Sequence, residues 1–343
     1  MPGLTYEMLT LNLRNPFRLS YGVSDTRQAF WIRLRDDEGW GEGTIPPYYH
    51  VAASEMTAFW DQAALKTQPY PDDPAAIPDW IGPGGPAPAR CAVELALYDR
   101  IARRRGIPLY RLLGLPQPNP QPTSFTIAID TPEAMAKMAL QIRDYPVIKV
   151  KLGSDDDEAR LAAIRAVRPD ARLRVDANAG WTRAEAMRYI RDLERFDLEM
   201  IEQPLIKNDI EGLGLIQSAT SIPIVADESV QSLEDVERLG EAGVQGINLK
   251  LMKVGGLTPA LKILHRSVEL GLKVMLGCMI ETSIGTTAMA HLSGLAEWFD
   301  LDAPMLISND PFEGIQYNAH AHFTVPDRPG IGVLKADLRT HPS

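Results

Sequence analysis

The chain has 343 residues, of which 45% are hydrophobic and 23% are charged, and its formal net charge is −10. This composition excludes a disordered chain, a fibrous repeat and a small disulfide scaffold, and the length predicts about two domains. The acidic balance, with no long basic run, excludes nonspecific binding to nucleic acid or to an anionic membrane surface. No transmembrane run and no secretion signal are visible, so we expect a cytoplasmic protein in which Cys91 and Cys278 are reduced.

The first zone, roughly residues 1–120, is typical of a compact α+β unit. Its predicted elements are strands at 5–11, 29–34 and around 40–43, and helices at 52–65 and 88–105. A proline- and glycine-rich loop separates the two helices. A cluster of four prolines from Pro116 to Pro122 then marks the expected boundary of this unit.

Short apolar runs alternate with helical patterns after this boundary. The candidate strands are 125–129, 147–152, 173–176, 199–202, 222–226, 246–251, 273–276 and a short run near 300. Helices are expected between them, for example at 155–168, 183–195, 232–242 and 258–271. Eight such units predict an α/β fold with a modified (β/α)8 TIM-type barrel at 123–307. The alternative, a doubly wound sheet, lacks the glycine-rich motif after its first strand. The capping domain would span 1–122 and be completed by about 308–343.

Three carboxylates end successive predicted strands of the barrel, namely Asp176, Glu202 and Asp227. Barrel enzymes carry their chemistry at this end of the strands, and neighbouring strands lie about 4.8 Å apart. Three converging acids repel one another unless a cation lies between them, and hard oxygen ligands favour Mg²⁺. The alternative is that these acids cap the following helices or pair with lysines.

Lysines are expected on two sides of these carboxylates. Lys149 and Lys151 share one face of the second strand, and Lys250 lies four strands away. Crowding of two ammonium groups beside a cation is expected to lower the pKa of one lysine, which would make it a useful base. The alternative is that Lys149 and Lys151 face solvent, and Lys253 is expected to be a loop residue.

A metal ion between opposed lysines suits proton transfer at a carbon next to a carboxylate. One lysine would remove the α-proton from one face, and the other would deliver a proton to the opposite face. Inversion at that carbon is the predicted result. The alternative is that one lysine acts alone and a leaving group is expelled.

These residues resemble the enolase superfamily, and within it the muconate-lactonizing-enzyme subgroup, over nearly the whole chain. The match rests on the second-strand motif, the three metal positions and the lysine of strand six: Lys149-Val150-Lys151, Asp176, Glu202, Asp227 and Lys250. The resemblance implies one Mg²⁺ per subunit, catalysis by Lys151, Lys250 and Lys149 through an enediolate, and a homo-oligomer.

Within the subgroup, the chain is most similar to the dipeptide epimerases (the L-Ala-D/L-Glu epimerase family). In that family an Asp-x-Asp pair, here Asp300 and Asp302, holds the α-ammonium group of the substrate. The alternative is a solvated turn. The resemblance assigns further substrate contacts and support of the metal ligands to a larger set: Thr126, Ser24, Tyr21, Tyr48, Met279 and Glu281 for the substrate, and Asn178 and Glu228 for the ligands.

One loop departs from the family pattern for L-Ala-Glu, in which an arginine follows the Pro16-Phe17 segment. Ser24 takes that place here, while Arg27 is expected to begin the next strand. The second loop, 45–50, offers an apolar and aromatic wall. We therefore predict a dipeptide substrate with an apolar or aromatic second residue rather than Ala-Glu.

Other activities on the same scaffold remain as alternatives. They are o-succinylbenzoate synthase, N-succinylamino-acid racemase and muconate cycloisomerase, whose substrates carry no ammonium group for Asp300 and Asp302 to bind. A binding protein that has lost its chemistry is a second alternative, but every lysine and metal position is retained.

Overall fold

The structure is a computed structural model that describes residues 3–20, 22–45 and 47–336. An antiparallel sheet and four helices form its N-terminal part: β1 (Leu4–Leu19), β2 (Gly22–Leu34), β3 (Trp40–Thr44), α1 (Ala53–Ala64), α2 (Ile77–Ile81), α3 (Ala87–Arg105) and α4 (Leu109–Leu112). Helix α3 packs directly on β3 because glycine alternates along that strand. A Cβ atom at Gly41 would lie only 1.9 Å from the carbonyl oxygen of Ala92.

Strand β2 begins earlier than the sequence pattern predicts. It pairs with β1 in a long hairpin in which Phe17 lies opposite Ser24 and Leu19 lies opposite Gly22. Arg27 therefore lies within β2 and does not begin it, which corrects the expectation for this residue. Polar residues at the hairpin tip interrupt the alternating apolar pattern, so sequence periodicity does not predict the start of β2. Pairing with β1 sets this start instead.

The second part of the chain is a nearly closed barrel of eight parallel strands that pair in chain order, which confirms the predicted fold class. Its elements follow a short strand β4 (Gln121–Pro122): β5 (Phe125–Ile127), α5 (Pro132–Gln141), β6 (Val147–Lys151), α6 (Asp157–Val167), β7 (Arg172–Asp176), α7 (Arg183–Leu193), β8 (Leu198–Glu202), α8 (Ile210–Ser218), β9 (Ile224–Ala226), α9 (Leu233–Glu241), β10 (Gly246–Leu249), α10 (Leu251–Val254), α11 (Leu257–Leu270), β11 (Lys273–Gly277), α12 (Ser283–Ala290), β12 (Trp298–Asp300) and α13 (Ala303–Leu306). The backbone N–H of Ser124 donates to the carbonyl of Phe299 at 3.0 Å and links the first strand to the last.

Apolar side chains form a separate cluster on four barrel strands: Met200, Val225, Met275 and Trp298. Each of them precedes the last residue of its strand, so the charged residues that end the strands lie beyond this packing, at the C-terminal face. Among the described residues, no helix combines the length and the apolar character that crossing a bilayer requires.

The chain returns to the N-terminal part after the barrel. It forms four short strands, β13 (Phe312–Glu313), β14 (Gln316–Tyr317), β15 (His322–Thr324) and β16 (Leu334–Lys335). The buried carboxylate of Asp99 on α3 accepts hydrogen bonds from the N–H of Trp40 at 2.8 Å and of Ile331 at 2.7 Å. These contacts tie the returning segment to the cap, while the domain boundaries stay a prediction.

Candidate active site

Three buried carboxylates meet at the C-terminal face of the barrel. Asp176 and Glu202 are the last residues of β7 and β8 and lie side by side in the strand register, and Asp227 directly follows β9. One oxygen of each carboxylate lies within 4.8 Å of an oxygen of the other two. The strand spacing thus brings together the three residues that the sequence singles out, and we call them the acidic triad.

Asn178 and Glu228 lie next to the triad and add further oxygen atoms to it. The N–H of Asn178 donates to Asp176 Oδ1 at 2.8 Å, and Asn178 Nδ2 donates to Glu228 Oε1 at 3.2 Å. Asn178 Oδ1 and Glu228 Oε2 are buried and have no hydrogen-bond partner among the described residues. A cluster of anionic oxygens with further oxygens left unsatisfied is the donor set that a hard cation such as Mg²⁺ requires, so the residues fit this ion.

The three predicted lysines are buried around the triad. Lys151 Nζ donates to Asp176 at 2.6 Å, and Lys250 Nζ donates to Asp227 at 2.7 Å. Because β6 and β10 lie four strands apart in the barrel, the two ammonium groups approach the triad from opposite sides. Lys149 and Lys151 are both buried, so the alternative in which these two lysines face solvent is wrong.

Carboxylates outnumber ammonium groups around Lys149. Its Nζ lies 2.7 Å from Glu202, 2.7 Å from Asp300 and 3.0 Å from Asp176. Desolvation opposes the charged form, but these carboxylates, Asp300 foremost, raise the pKa of Lys149 well above its ordinary value. Against the same desolvation, Asp227 raises the pKa of Lys250. The carboxylates alone thus raise the pKa of both lysines, because each ammonium group faces acids more closely than it faces another cation, while the expected lowering depends on a cation at the triad and stays a prediction.

Asp300 and Asp302 form a second acidic group beside the triad. Asp300 accepts from Ser124 Oγ at 2.6 Å as well as from Lys149, and Asp302 accepts from the N–H of Thr126 at 2.7 Å. Both carboxylates are buried, which rules out the solvated turn. Desolvation and the nearby charge of Asp300 raise the pKa of Asp302 to about 7. A cation placed here would relieve both effects.

A cavity of about 90 Å³ joins the two acidic groups. Its lining includes most of the predicted site residues: Lys149, Lys151, Lys250, Asp227, Asn178, Glu228, Asp300, Asp302, Thr126, Tyr48 and Met279. Arg27 and Cys278 also line it. Both cysteines carry free thiols, as expected, and the Sγ of Cys278 donates to the carbonyl of Asp300 at 3.2 Å.

Comparison with known proteins identifies the family. The model of the enolase C-terminal domain-like family matches residues 133–335. The L-Ala-D/L-Glu epimerase of Bacteroides thetaiotaomicron is 34% identical over 339 residues, which cover 97% of this chain and 88% of that protein. The chain belongs to the dipeptide epimerases of the enolase superfamily. It is thus an isomerase of the racemase and epimerase class.

Two further relatives of this dipeptide epimerase also match over nearly the whole length of both chains. The hydrophobic dipeptide epimerase of Roseobacter litoralis is 35% identical and covers 95% of this chain and 97% of its own. The crystal structure of a dipeptide epimerase from Enterococcus faecalis, complexed with Mg and the dipeptide L-Leu-L-Tyr, has a TM-score of 0.88 at 30% identity. That match covers 97% of this chain and 99% of the other.

Two predicted substrate contacts of this epimerase, Ser24 and Glu281, do not line the cavity in the part of the chain that the structure describes. The hydroxyl of Ser24 donates to the carbonyl of Thr26 at 2.7 Å, outside the cavity lining. Glu281 is buried outside the cavity lining, and desolvation and Glu42 raise its pKa well above the ordinary value. Tyr21 lies outside the described residues.

Lys253 is a site residue that sequence reasoning missed. It lies in the short helix α10 and not in a loop, and its side chain is fully buried. Its Nζ contacts Asp227 Oδ1 at 2.6 Å and donates to the carbonyl of Asn248 at 2.8 Å. Asn248 in turn donates to Glu202 Oε1 at 2.8 Å, so Lys253 connects two members of the triad. The sequence spacing could have indicated this residue, because Lys250 and Lys253 are three positions apart and side chains at this spacing lie on the same side of a helical turn.

Gln203 is the other missed residue. Its Oε1 accepts from the N–H of Asp227 at 2.7 Å and from the N–H of Ser229 at 3.2 Å. It follows Glu202 in the sequence, and its φ angle of 33° turns the chain sharply at the strand end. Gln203 therefore orients Asp227 from the neighbouring strand.

Proposed function

We propose that this protein is a Mg²⁺-dependent dipeptide epimerase that transfers a proton at the carbon next to the substrate carboxylate. The observation that carries the proposal is the arrangement of Lys151 and Lys250 on opposite sides of the acidic triad. One Mg²⁺ per subunit, held by Asp176, Glu202 and Asp227, would bind the substrate carboxylate and stabilise the negative charge that develops there.

The lysines divide the proton transfer between them. One of Lys151 and Lys250, as the neutral amine, takes the α-proton from one face of the substrate, and the other, as the ammonium group, gives its proton to the opposite face, so the two lysines exchange protonation states in each turnover. Lys149 contacts all three carboxylates around it at 3.0 Å or less, so its proposed role is to hold positive charge beside the reacting carboxylate.

The pair Asp300 and Asp302 fixes the other end of the substrate. Two buried carboxylates, one with its pKa raised to about 7, favour a ligand cation, and the α-ammonium group of a dipeptide supplies one. Substrates of the alternative activities lack an α-ammonium group, so they offer nothing for these two carboxylates to bind at that position. These two residues therefore favour a dipeptide.

For the second residue of the dipeptide we propose an apolar or aromatic side chain. Ile45, Tyr48 and Tyr49 line the cavity and provide an apolar and aromatic wall. A second candidate is Ala-Glu, because Arg27 also lines the cavity and brings a positive charge to it. The hydrophobic dipeptide epimerase among the relatives supports the first candidate, and the L-Ala-D/L-Glu epimerase supports the second.

A deuterium-exchange screen tests the proposal. The protein is incubated with a dipeptide library in D₂O and Mg²⁺, with and without a chelator, and mass is read for each dipeptide. We expect Mg²⁺-dependent uptake of one deuteron at the second residue, strongest when that residue is apolar or aromatic. Strongest uptake for Ala-Glu selects the second candidate. Absence of uptake with every dipeptide refutes epimerisation. The same screen is run on Lys151→Ala, and Lys262→Ala, which removes an exposed lysine, serves as its control.

A further inference from the structure

A second cavity, of about 310 Å³, lies beside the active-site cavity. The segment 13–18 of β1 lies on one side of it, and β5 and α5 lie on the other. Met135, Met138 and Met305 line it together with several other apolar side chains. We call it the methionine cavity. The residues identified above as the triad and the lysines lie outside its lining in the described structure.

The two cavities share a wall made by Phe17, Thr126 and Leu306. This wall lies at the ammonium end of the site, because the N–H of Thr126 donates to Asp302 Oδ2 at 2.7 Å. The wall lies far from Asp227, because Asp227 follows β9 and β9 is four strands away from β5 in the barrel. The methionine cavity therefore adjoins Asp302, where the function proposed above would place the first residue of the dipeptide, and it lies away from the triad.

We propose that the methionine cavity receives the side chain of the first residue of the substrate, and that the enzyme selects dipeptides whose first residue is long and apolar. This inference rests on the function proposed above, because Asp300 and Asp302 must hold the α-ammonium group. That group and the side chain are attached to the same carbon. A side chain of the first residue accordingly starts beside the shared wall, and it would have to displace or pass Phe17 and Leu306 to enter the methionine cavity.

The chemistry of the lining favours an apolar occupant. Met135 is buried, Met138 and Met305 are half-buried, and flexible thioether chains adapt to ligands of varied shape. The charged residues of the lining, Arg14, Arg18 and Asp130, are all exposed and have mixed sign. Arg14 Nε also donates to the carbonyl of Met305 at 3.1 Å. The charged side chains of the lining are thus exposed while its methionines are partly or fully buried, and the volume of about 310 Å³ lies at the lower end of the range for ligand pockets.

A series of dipeptides that differ only in the first residue tests this inference. The substrates are L-Xaa-L-Ala with Ala, Leu, Met, Phe or Glu first, and the measurement is kcat/KM for deuterium uptake at the second residue. We expect Leu and Met to exceed Ala by about tenfold or more, since added methylenes in an apolar pocket give gains of this order. Equal values across the series, or the largest value for Glu, overturn the inference.

Filling the cavity provides a matched test. Ala134 is half-buried on α5 and lines the cavity, so Ala134→Leu should reduce the Leu-to-Ala ratio of kcat/KM toward one. Ala136→Leu, on the same helix but outside the lining, should leave that ratio unchanged. Met138→Phe fills the same space and replaces Ala134→Leu if the latter fails to fold. A ratio that persists in the filled variant overturns the inference. Failure of the proposed function is distinct, because then no dipeptide of the series exchanges at all.

Discussion

His291 should make the folded protein less stable in mild acid. It is buried at the end of α12, where Nδ1 accepts from the N–H of Tyr110 at 3.3 Å and Nε2 lies 3.0 Å from the carbonyl of Ile331. Both contacts are satisfied by the neutral ring with its hydrogen on Nε2. Desolvation lowers the pKa of His291 to about 4 from its ordinary value of 6.5.

The magnitude follows from these two pKa values. In the unfolded chain His291 binds its proton near pH 6.5, and in the folded chain only near pH 4. The neutral ring therefore makes its full contribution to the free energy of unfolding above pH 6.5, and this contribution is lost as the pH falls toward 4. Between pH 7.5 and pH 5 the loss is about 2 kcal/mol, and the full loss below pH 4 is about 3 kcal/mol.

Urea unfolding at pH 7.5 and pH 5 measures this effect when the wild-type protein is compared with His291→Gln, which cannot titrate. Because the other titrating groups are common to both proteins, the difference between their two pH-dependent losses isolates His291. We expect the wild type to lose about 2 kcal/mol more than the variant. Equal losses, or a His291 that titrates near pH 6.5 in NMR spectra, would refute the reasoning.

Three other outcomes are expected. Mg²⁺ at 100 times its dissociation constant should raise the free energy of unfolding by about 2.7 kcal/mol, measured as a shift in melting temperature that a chelator reverses. Asp302→Asn should lower kcat/KM for a free dipeptide by tenfold or more, but should change the kcat/KM of its N-acetylated form far less, because only the first carries an ammonium group. Gly41→Ala should reduce stability by about 1–3 kcal/mol in urea, since its Cβ would lie 1.9 Å from the carbonyl oxygen of Ala92. Full stability in that variant would contradict the close packing of α3 on β3.

The residues of the acidic triad were predictable because a parallel barrel fixes where strand ends meet. Asp176 and Glu202 lie in direct register, and a spacing of one β-α unit in sequence becomes one strand spacing in space. Lys253 was not predictable in the same way, because its direction depends on the single helical turn that follows β10. The position of Arg27 likewise depends on how far the β1–β2 hairpin continues, which local sequence does not determine.

The raised pKa of Lys149 could not be predicted from the sequence, because it depends on which charged groups surround Lys149 in the folded barrel. Sequence spacing reveals Lys151 as its neighbour on one strand face, but Asp300 is 151 positions away and contacts Lys149 only when the barrel closes. Because Lys149 contacts both Glu202 and Asp300, the acidic triad and the second acidic group form one electrostatic network. Substitution of Asp300 would disturb both groups at once. Asp302 is held by the backbone N–H of Thr126, so its substitution is expected to disturb the triad less than substitution of Asp300.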